Sequence, residues 1–401
     1  MTSSTPHIII AGGGVAALEA LIALRDLGGD EPRVTLLAPE PDFVYRPMAV
    51  AEPFCLGHAE RHPLATIARD FGADLVRERL SEVDAGARTV TTGGGDTIAY
   101  DSLLIAVGAR NEAVYRNAIT FGAERAPDML AGLLSDLELG YAKHIAFVVP
   151  SGVAWTLPLY ELAIMTARDV WSAGVKGVDI AFVTPEERPL EAFGRKASAM
   201  VGELLDEEGI EFIGSTRAEI GHGLVLAGDR RIEVSRAVAL PVPLGTAIAG
   251  VPADASGFIP VDEHGQVQGI EDVYAVGDAT TFPIKQGGLA AQQAVAAVES
   301  ILARHGADLD PQPFRPVLRG LLMTGGERRW LRAPAGATPG NVEAALHSLW
   351  WPPSKIATRY LAPYLIRGEE AALLALRAEG SHLVERDLEL LARGVVREPV
   401  R

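Results

Sequence analysis

A glycine-rich turn near the start of the chain has the residue types and spacing that bind the phosphates of a dinucleotide. Gly12-x-Gly14-x-x-Ala17 follows a short apolar run, His7–Ala11, and opens a stretch of helical composition. Gly12 permits a tight turn, Gly14 lets the backbone approach a pyrophosphate, and the small Ala17 allows close packing of helix on strand. Because the N-terminus of that helix faces the negative charge, the turn predicts a nucleotide phosphate site.

A carboxylate suited to a ribose follows the next predicted strand, Arg33–Leu37. Glu40 stands 26 residues after Gly14, and the polar insert 28–32 accounts for the excess over the usual ~20. A carboxylate at this position accepts hydrogen bonds from ribose hydroxyls. The strand, the glycine turn, the helix and the acid occur together. This combination predicts a β–α–β unit that binds a nucleotide, and not merely a tight turn between a strand and a helix.

Two later segments also end buried strands in turns of small residues, Tyr100–Ala109 and Asp272–Asp278. The second is followed by Lys285–Gly288 and then by an Ala-rich helix predicted over Leu289–Arg304. In this order and at these separations, the three glycine-containing segments resemble the FAD-binding signature of the glutathione-reductase-like superfamily, the flavoproteins with two dinucleotide-binding domains.

The resemblance implies a bound FAD and a role for each segment. Asp278 is expected at the ribityl or pyrophosphate region, Lys285–Gly288 at the pyrimidine edge of the flavin, and Tyr45 and Pro47 along the ring. A helix dipole contributes about 0.3–2 kcal/mol toward a nearby anion, which favours reduced flavin. The expected cofactor-binding residues are Gly12, Gly13, Gly14, Ala16, Ala17, Glu40, Tyr45, Pro47, Ala106, Val107, Gly108, Gly277, Asp278, Lys285, Gln286, Gly287 and Gly288.

Three further segments, Pro39–Pro47, Thr184–Glu186 and Ala275–Ala279, resemble one branch of that superfamily. The branch holds the sulfide:quinone reductases, the flavocytochrome c sulfide dehydrogenases and the type II NADH dehydrogenases. The resemblance implies an FAD-dependent oxidoreductase that passes electrons from a small-molecule donor to a quinone-like acceptor. Two alternatives stay open: an NAD(P)H:acceptor reductase, and a redox-responsive flavin-binding protein without turnover.

The second nucleotide-type turn departs from the usual pattern. Val149–Trp155 keeps the single glycine Gly152, Pro150 has no N–H to offer a phosphate, and Trp155 is bulky, so NAD(P)H is not expected to bind in the usual manner. In Tyr160-Glu-Leu-Ala163 the resemblance implies that Glu161 approaches the flavin; the alternative is a capped, solvated helix glutamate. Glu161, Cys55 and Lys285 are the candidate catalytic residues.

Cys55 is the only cysteine of the chain. A disulfide, or the sulfur relay between two cysteines that sulfide-oxidising relatives use, is therefore impossible within one chain. The thiol could form a flavin adduct or a persulfide, but its neighbours Phe54 and Leu56 favour an inert, buried side chain. No metal is expected: His58 and His62 are four residues apart, but Gly57 and Pro63 disfavour a continuous helix.

Composition sets the fold class and excludes several functions. A chain of 401 residues predicts two or three domains, and a net charge of −16 disfavours binding to nucleic acid. We predict an α/β fold with two Rossmann-like (FAD/NAD(P)-binding) domains and a C-terminal α+β cap. The expected boundaries are 1–110 and 250–315 for the FAD-binding domain, 111–249 for the second domain, and 316–401 for the cap.

The C-terminal part differs from the rest in charge. Residues 315–367 carry 8 basic against 2 acidic side chains, together with Trp330, Trp350, Trp351, Tyr360 and Tyr364. Such a mixture favours contact with an anionic membrane surface; a homodimer interface and a covered flavin face are the alternatives. Because no apolar run is long enough to span a membrane and no signal peptide is seen, we expect a cytoplasmic protein; peripheral contact with the inner face of the membrane stays open as an alternative.

Overall fold

Two five-stranded parallel sheets, each packed against helices, form the body of the chain. They are seen in a computed structural model that describes residues 5–334 and 342–368. The predicted α/β class with two Rossmann-like units is confirmed. Residues 369–401, the last part of the predicted cap, lie outside the described residues.

The N-terminal quarter of the chain begins with the predicted β–α–β unit. Its elements are β1 (His7–Ala11), α1 (Val15–Gly28), β2 (Arg33–Leu37), β3 (Asp42–Val44), a 3-10 helix (Arg46–Phe54), β4 (Arg61–Pro63), α2 (Leu64–Asp70), β5 (Asp74–Val76), β6 (Leu80–Asp84), β7 (Thr89–Thr92), β8 (Thr97–Ala99) and β9 (Ser102–Ile105). Ile8, Ile9 and Ile10 are fully buried, because β1 lies in the middle of a sheet that is covered on both faces.

The middle of the chain builds the second sheet. Its elements are β10 (Arg110–Glu112), β11 (Ile119–Thr120), α3 (Ala126–Glu138), β12 (His144–Val148), α4 (Leu157–Ser172), β13 (Asp179–Val183), α5 (Arg195–Glu207), β14 (Ile210–Ile213), β15 (Ala218–Gly221), β16 (Leu224–Ala227), β17 (Arg230–Glu233), β18 (Arg236–Ala239) and β19 (Val242–Leu244). The parallel order is β11-β18-β12-β13-β14. β10 and β19, which connect the two sheets, pair with each other antiparallel.

The chain then returns to the first sheet and ends in the cap. β20 (Val273–Ala275) completes the parallel order β20-β9-β1-β2-β5, and α6 (Gly287–Arg304) packs beside α1. The cap contains the antiparallel strands β21 (Val317–Leu322), β22 (Arg329–Pro334) and β23 (Glu343–Ala345), and residues 361–368 are helical. The domain boundaries remain a prediction.

Buried Glu19 on α1 fastens the cap to the first domain. Its carboxylate accepts the backbone N–H groups of Arg359, Tyr360 and Leu361 at 2.7, 3.0 and 2.7 Å. These donors lie at the start of the 361–368 helix, where N–H groups lack partners within the helix. In the described part of the chain, no helix is both long and apolar enough to cross a membrane.

Candidate functional site

The first glycine turn forms an open cradle at the N-terminus of α1. Gly12 has φ +133°, and a Cβ on it would lie 2.2 Å from the carbonyl oxygen of Ala106, so only glycine fits. Gly14 precedes the helix with no side-chain cap, and a Cβ on it would meet no atom within 4 Å. The N–H groups of the first turn of α1 thus face open space, which is the arrangement that binds an anion.

The second and third turns border the same cradle. Ala106 lies against Gly12, and Gly108, at φ +72°, has open space where a Cβ would be. Gly277 has φ +70°, and a Cβ on it would lie 3.3 Å from the Cβ of Ala16 and 3.1 Å from that of Ala290. The third turn therefore packs against the first turns of both α1 and α6, which brings the two ends of the predicted FAD signature together.

Two carboxylates beside these turns accept no hydrogen bond and form no ion pair within 4.0 Å among the described residues. Asp278 follows Gly277 and accepts no hydrogen bond there; burial raises the pKa of its carboxyl, and the ammonium of Lys285 opposes that shift. Glu40, beyond the end of β2, is exposed and likewise unpaired among the residues described. Both carboxylates are therefore free to accept hydrogen bonds from the hydroxyl groups of a ligand.

The residues predicted at the pyrimidine edge separate into two groups. Lys285 donates to the carbonyl of Thr280 and stands 3.7 Å from the ring centroid of Phe258; burial lowers its pKa to about 8. Gln286 instead caps α6, accepting the N–H of Leu289 at 2.8 Å. Gly287 and Gly288, which come next, lie against the cap.

The cap reaches the N-terminus of α6 through residues 355–357. A Cβ on Gly287 would lie 3.2 Å from Ile356, and one on Gly288 would lie 3.4 Å from the carbonyl of Ala357. The hydroxyl of Tyr45 accepts the N–H of Ile356 at 2.8 Å, and burial raises the pKa of that hydroxyl to about 12. Pro47 lies two residues further, in the 3-10 helix.

Glu161 forms a buried ion pair beside this junction. Its Oε1 accepts the N–H of Met323 at 2.8 Å and pairs with the ammonium of Lys355, while Oε2 has no hydrogen-bond partner among the described residues. Burial raises the pKa of Glu161 and lowers that of Lys355, and each charge opposes the shift of the other. The alternative of a solvated helix glutamate is wrong, because the side chain is fully buried.

A cleft of about 660 Å³ lies where β12 and β13 end, lined by Gly152, Glu186, Arg188 and Lys285 among others. The carboxylate of Glu186 accepts the hydroxyls of Thr156, Tyr160 and Thr184 at 3.1, 2.8 and 3.1 Å. Glu186 follows β13, the second strand of this β–α–β unit, where a dinucleotide-binding domain carries the acid that binds a ribose. Its hydrogen-bonding capacity is already taken up by three hydroxyl groups of the protein.

Trp155 does not obstruct this cleft. It packs against Phe193, with ring centroids 5.9 Å apart, and is not part of the cleft lining. Of the three sequence features that argue against NAD(P)H binding in this cleft, two still hold, namely the missing glycines and Pro150, which has no N–H.

Residues 6–144 and 160–300, more than half of the chain, match the family described as pyridine nucleotide-disulphide oxidoreductase. The chain belongs to the pyridine nucleotide-disulphide oxidoreductase family. The ferredoxin reductase component of chlorobenzene dioxygenase from Cupriavidus sp. (strain PS12) is 28% identical in an alignment of length 333 that covers 75% of this chain and 75% of that protein. Sulfide-quinone reductase from Aquifex aeolicus (strain VF5) is 28% identical over 229 residues, 52% of this chain and 50% of that protein. The solved structure of the sulfide:quinone oxidoreductase from Aquifex aeolicus superposes with a TM-score of 0.76 at 21% identity, covering 96% of this chain and 94% of the other.

As a member of this family the chain is an FAD-dependent oxidoreductase. The cradle fits such a group, since Gly14 and Gly108 leave open space and Asp278 is unpaired among the residues described. FAD, when bound, supplies transfer of two electrons between a donor and an acceptor.

Cys55 differs from its expected environment. It is exposed, with φ +55° in the left-handed region, where it ends the 3-10 helix that contains Pro47. The interpretation as a buried, inert cysteine is therefore wrong. Among the described residues, no group of three or more His, Cys, Asp or Glu side chains is arranged to hold a metal ion.

Sequence reasoning missed Lys355, the partner of Glu161. It stands 194 positions from Glu161 within a generally basic stretch, and no local pattern distinguishes it from the other cations there. The sequence gives only indirect evidence that Glu161 has a cationic partner. Glu161 lies inside the otherwise apolar run Leu157–Met165, and a buried glutamate needs a buried cation or a ligand.

Proposed function

We propose that this oxidoreductase passes two electrons from a reduced donor to a quinone-like acceptor through FAD held between the first and third glycine turns. In this assignment Gly12–Gly14 and Ala106–Gly108 cradle the pyrophosphate, and Glu40 binds the adenosine ribose. Asp278 binds the ribityl chain. The start of α6 at Gln286–Gly288 stabilises negative charge on the pyrimidine edge.

The buried pair of Glu161 and Lys355 is the observation that favours a quinone over a metal-centre acceptor. A quinone takes up two protons with its two electrons, whereas an iron–sulfur protein takes up electrons without protons. A group that holds a proton beside the α6 N-terminus serves the first acceptor and has no use for the second. The pair meets that need because the ammonium of Lys355 carries a proton and donates it to Oε1 of Glu161, whose Oε2 is free of protein partners in the described part of the chain.

The acceptor is tested by reoxidation of the reduced protein. Protein reduced anaerobically with one equivalent of dithionite is mixed with decylubiquinone or with ferricyanide, which accepts electrons without protons. We expect Glu161→Gln to slow reoxidation by the quinone at least about tenfold, within the range of a lost general acid, and to leave reoxidation by ferricyanide unchanged. The matched control is Glu138→Gln, an exposed glutamate at the end of α3. Equal quinone rates for the two variants would contradict the proposal.

The donor is tested separately, by mixing the oxidised yellow protein with NADH, NADPH or sulfide without oxygen and following flavin absorbance. The single cysteine of the chain denies sulfide the usual two-cysteine relay. Sulfide oxidation that persists in Cys55→Ser would show that sulfur chemistry proceeds here without a thiol.

An NAD(P)H-dependent reductase is the second candidate. The cleft at the ends of β12 and β13 supports it, because its volume of about 660 Å³ suits a small ligand and two cations, Arg188 and Lys285, line it. Rapid bleaching by NADH or NADPH that is slowed in Arg188→Gln would favour this candidate.

Contact of residues 315–367 with a membrane surface remains a prediction, as does a homodimer. Trp351, with 83% of its surface exposed, supports an interfacial role of the cap. Membrane contact is tested by sedimentation with vesicles of anionic lipid, compared with vesicles of phosphatidylcholine. The homodimer is tested by sedimentation equilibrium.

A further inference from the structure

A separate cavity of about 530 Å³ lies between α6 and the cap. Its size falls in the range of small-molecule sites. The apolar part of its wall consists mainly of Ala291, Val295, Ala296, Pro313, Phe314 and Trp350, with the exposed ring of Trp351 at the rim. Three arginines, Arg315, Arg319 and Arg359, and two glutamates, Glu19 and Glu299, also line it.

The two glutamates are already engaged. Glu19 accepts three backbone N–H groups at the start of the 361–368 helix. Glu299 accepts the N–H of Gln312 at 3.0 Å. Neither carboxylate lies within 4.0 Å of a guanidinium group of the cavity, although the charge of Arg359 opposes the rise that burial causes in the pKa of Glu19. Within the same distance, no acid among the described residues forms an ion pair with Arg315, Arg319 or Arg359. With three arginines against two glutamates, the lining carries an excess of one positive charge in a chain whose net charge is −16.

Arg319 is the least compensated of the three. It stands directly opposite Arg332 in the pairing of β21 with β22, and like charges opposite each other destabilise a sheet. Arg332 has a counter-charge in Glu343, at 3.7 Å. Arg319 has none: its Nε is buried without a hydrogen-bond partner in the described part of the chain. Burial and the charge of Arg332 both lower its pKa.

A half-buried guanidinium without a partner costs free energy that a bound anion would recover. We propose that this cavity binds an amphiphilic phosphate ester, with its phosphate on Arg319, Arg315 and Arg359 and its apolar part against Phe314 and Trp351. The planar guanidinium donates two parallel hydrogen bonds to phosphate oxygens, which suits it to this role. The phosphate is that of an anionic lipid headgroup or of a free phosphate ester.

Calorimetric titration of the FAD-loaded full chain at low salt tests this proposal, with the flavin site filled so that it does not compete for phosphate. The probes are sodium pyrophosphate and monomeric dihexanoylphosphatidylglycerol, with dihexanoylphosphatidylcholine, which is zwitterionic and has no net charge, as the comparison. We expect saturable binding of at least one anionic probe, weakened at least tenfold in Arg319→Gln and in Arg359→Gln. Binding of pyrophosphate identifies the phosphate itself as sufficient; binding of phosphatidylglycerol alone identifies a lipid headgroup.

The matched control is Arg236→Gln, an exposed arginine paired with Asp136 in the second domain, which should bind like the original chain. Without ligand, Arg319→Gln should melt at the same temperature as the original chain or higher, since it removes an unpaired charge. Three results would overturn the proposal: no saturable binding of either anionic probe, equal affinity in the Arg319 and Arg236 variants, or equal binding of phosphatidylcholine. A fall in melting temperature with unchanged affinity would assign Arg319 a structural role instead.

Discussion

Glu161 and Lys355, 194 positions apart in the chain, form an ion pair in which both side chains are buried. The pair joins α4 to the cap one residue before Ile356, which packs against the first residue of α6. The cap is therefore fixed by buried charge at one point and by the three hydrogen bonds to Glu19 at another. The first attachment lies beside the N-terminus of α6, and the second is on α1, the helix that the first glycine turn opens.

Removal of Lys355 alone should destabilise the protein strongly, because it leaves a buried carboxylate without a counter-charge. We expect Lys355→Met to lower the free energy of unfolding by about 3–5 kcal/mol at neutral pH, and the double variant Glu161→Gln/Lys355→Met to recover most of that loss. Urea unfolding of the FAD-loaded chain measures both. Equal stability of the single and double variants would contradict a buried pair.

The same variant has a defined pH dependence. A carboxyl with a raised pKa binds a proton more readily in the folded state, so its contribution favours folding at low pH and is lost as the pH rises. The penalty of Lys355→Met should therefore shrink as the pH is lowered toward about 5, near the ordinary pKa of glutamate.

The charge of Lys285 should lower the free energy of unfolding at neutral pH. Its pKa is lowered by burial to about 8, so the folded state binds fewer protons than the unfolded state between that value and the ordinary lysine pKa of 10.5. Stability from this group therefore rises with pH across that interval. We expect Lys285→Met, which keeps an apolar contact for Phe258, to be more stable than the original chain at pH 7. The difference in melting temperature should narrow from pH 8 upward; a constant difference would contradict the assignment.

Cys55 should react as an exposed thiol. We expect one equivalent of Ellman's reagent to react with the folded protein within about tenfold of the rate for the unfolded chain, because exposure and thiolate fraction govern that rate. The control is Cys55→Ser, which should release no colour. Reaction only after unfolding would show that the thiol is covered.

The cradle could be predicted from sequence because its rules are local. Six consecutive residues, 12–17, contain all of its features. They are a glycine that must adopt φ +133°, a helix start without a side-chain cap, and a small residue at the contact of helix and strand. The strand Arg33–Leu37 was predicted with its observed bounds, and α6 begins two residues before the predicted Leu289 because Gly287 and Gly288 continue the helix.

The features that local sequence could not predict depend on tertiary contacts. Phe54 and Leu56 pack against the core as expected, but the left-handed conformation of Cys55 between them turns its side chain outward to solvent. The burial of Glu161 depends on Lys355, which only the docking of the cap brings to it. Lys285 adjoins the start of α6 in sequence, yet it donates to Thr280 and lines the cleft of the second domain.

Gly14→Ala tests most directly the claim that FAD lies on the first glycine turn. A Cβ at Gly14 meets no protein atom within 4 Å and needs no unusual φ, so the protein alone tolerates a methyl group there. The methyl group would instead occupy the space of the pyrophosphate. The control is Gly132→Ala in α3, where a Cβ also meets nothing within 4 Å. We predict that Gly14→Ala lowers the affinity of the apoprotein for FAD at least tenfold while its unfolding free energy stays within about 0.5 kcal/mol, and that Gly132→Ala leaves the affinity unchanged. Equal FAD affinity in the two variants would contradict the account.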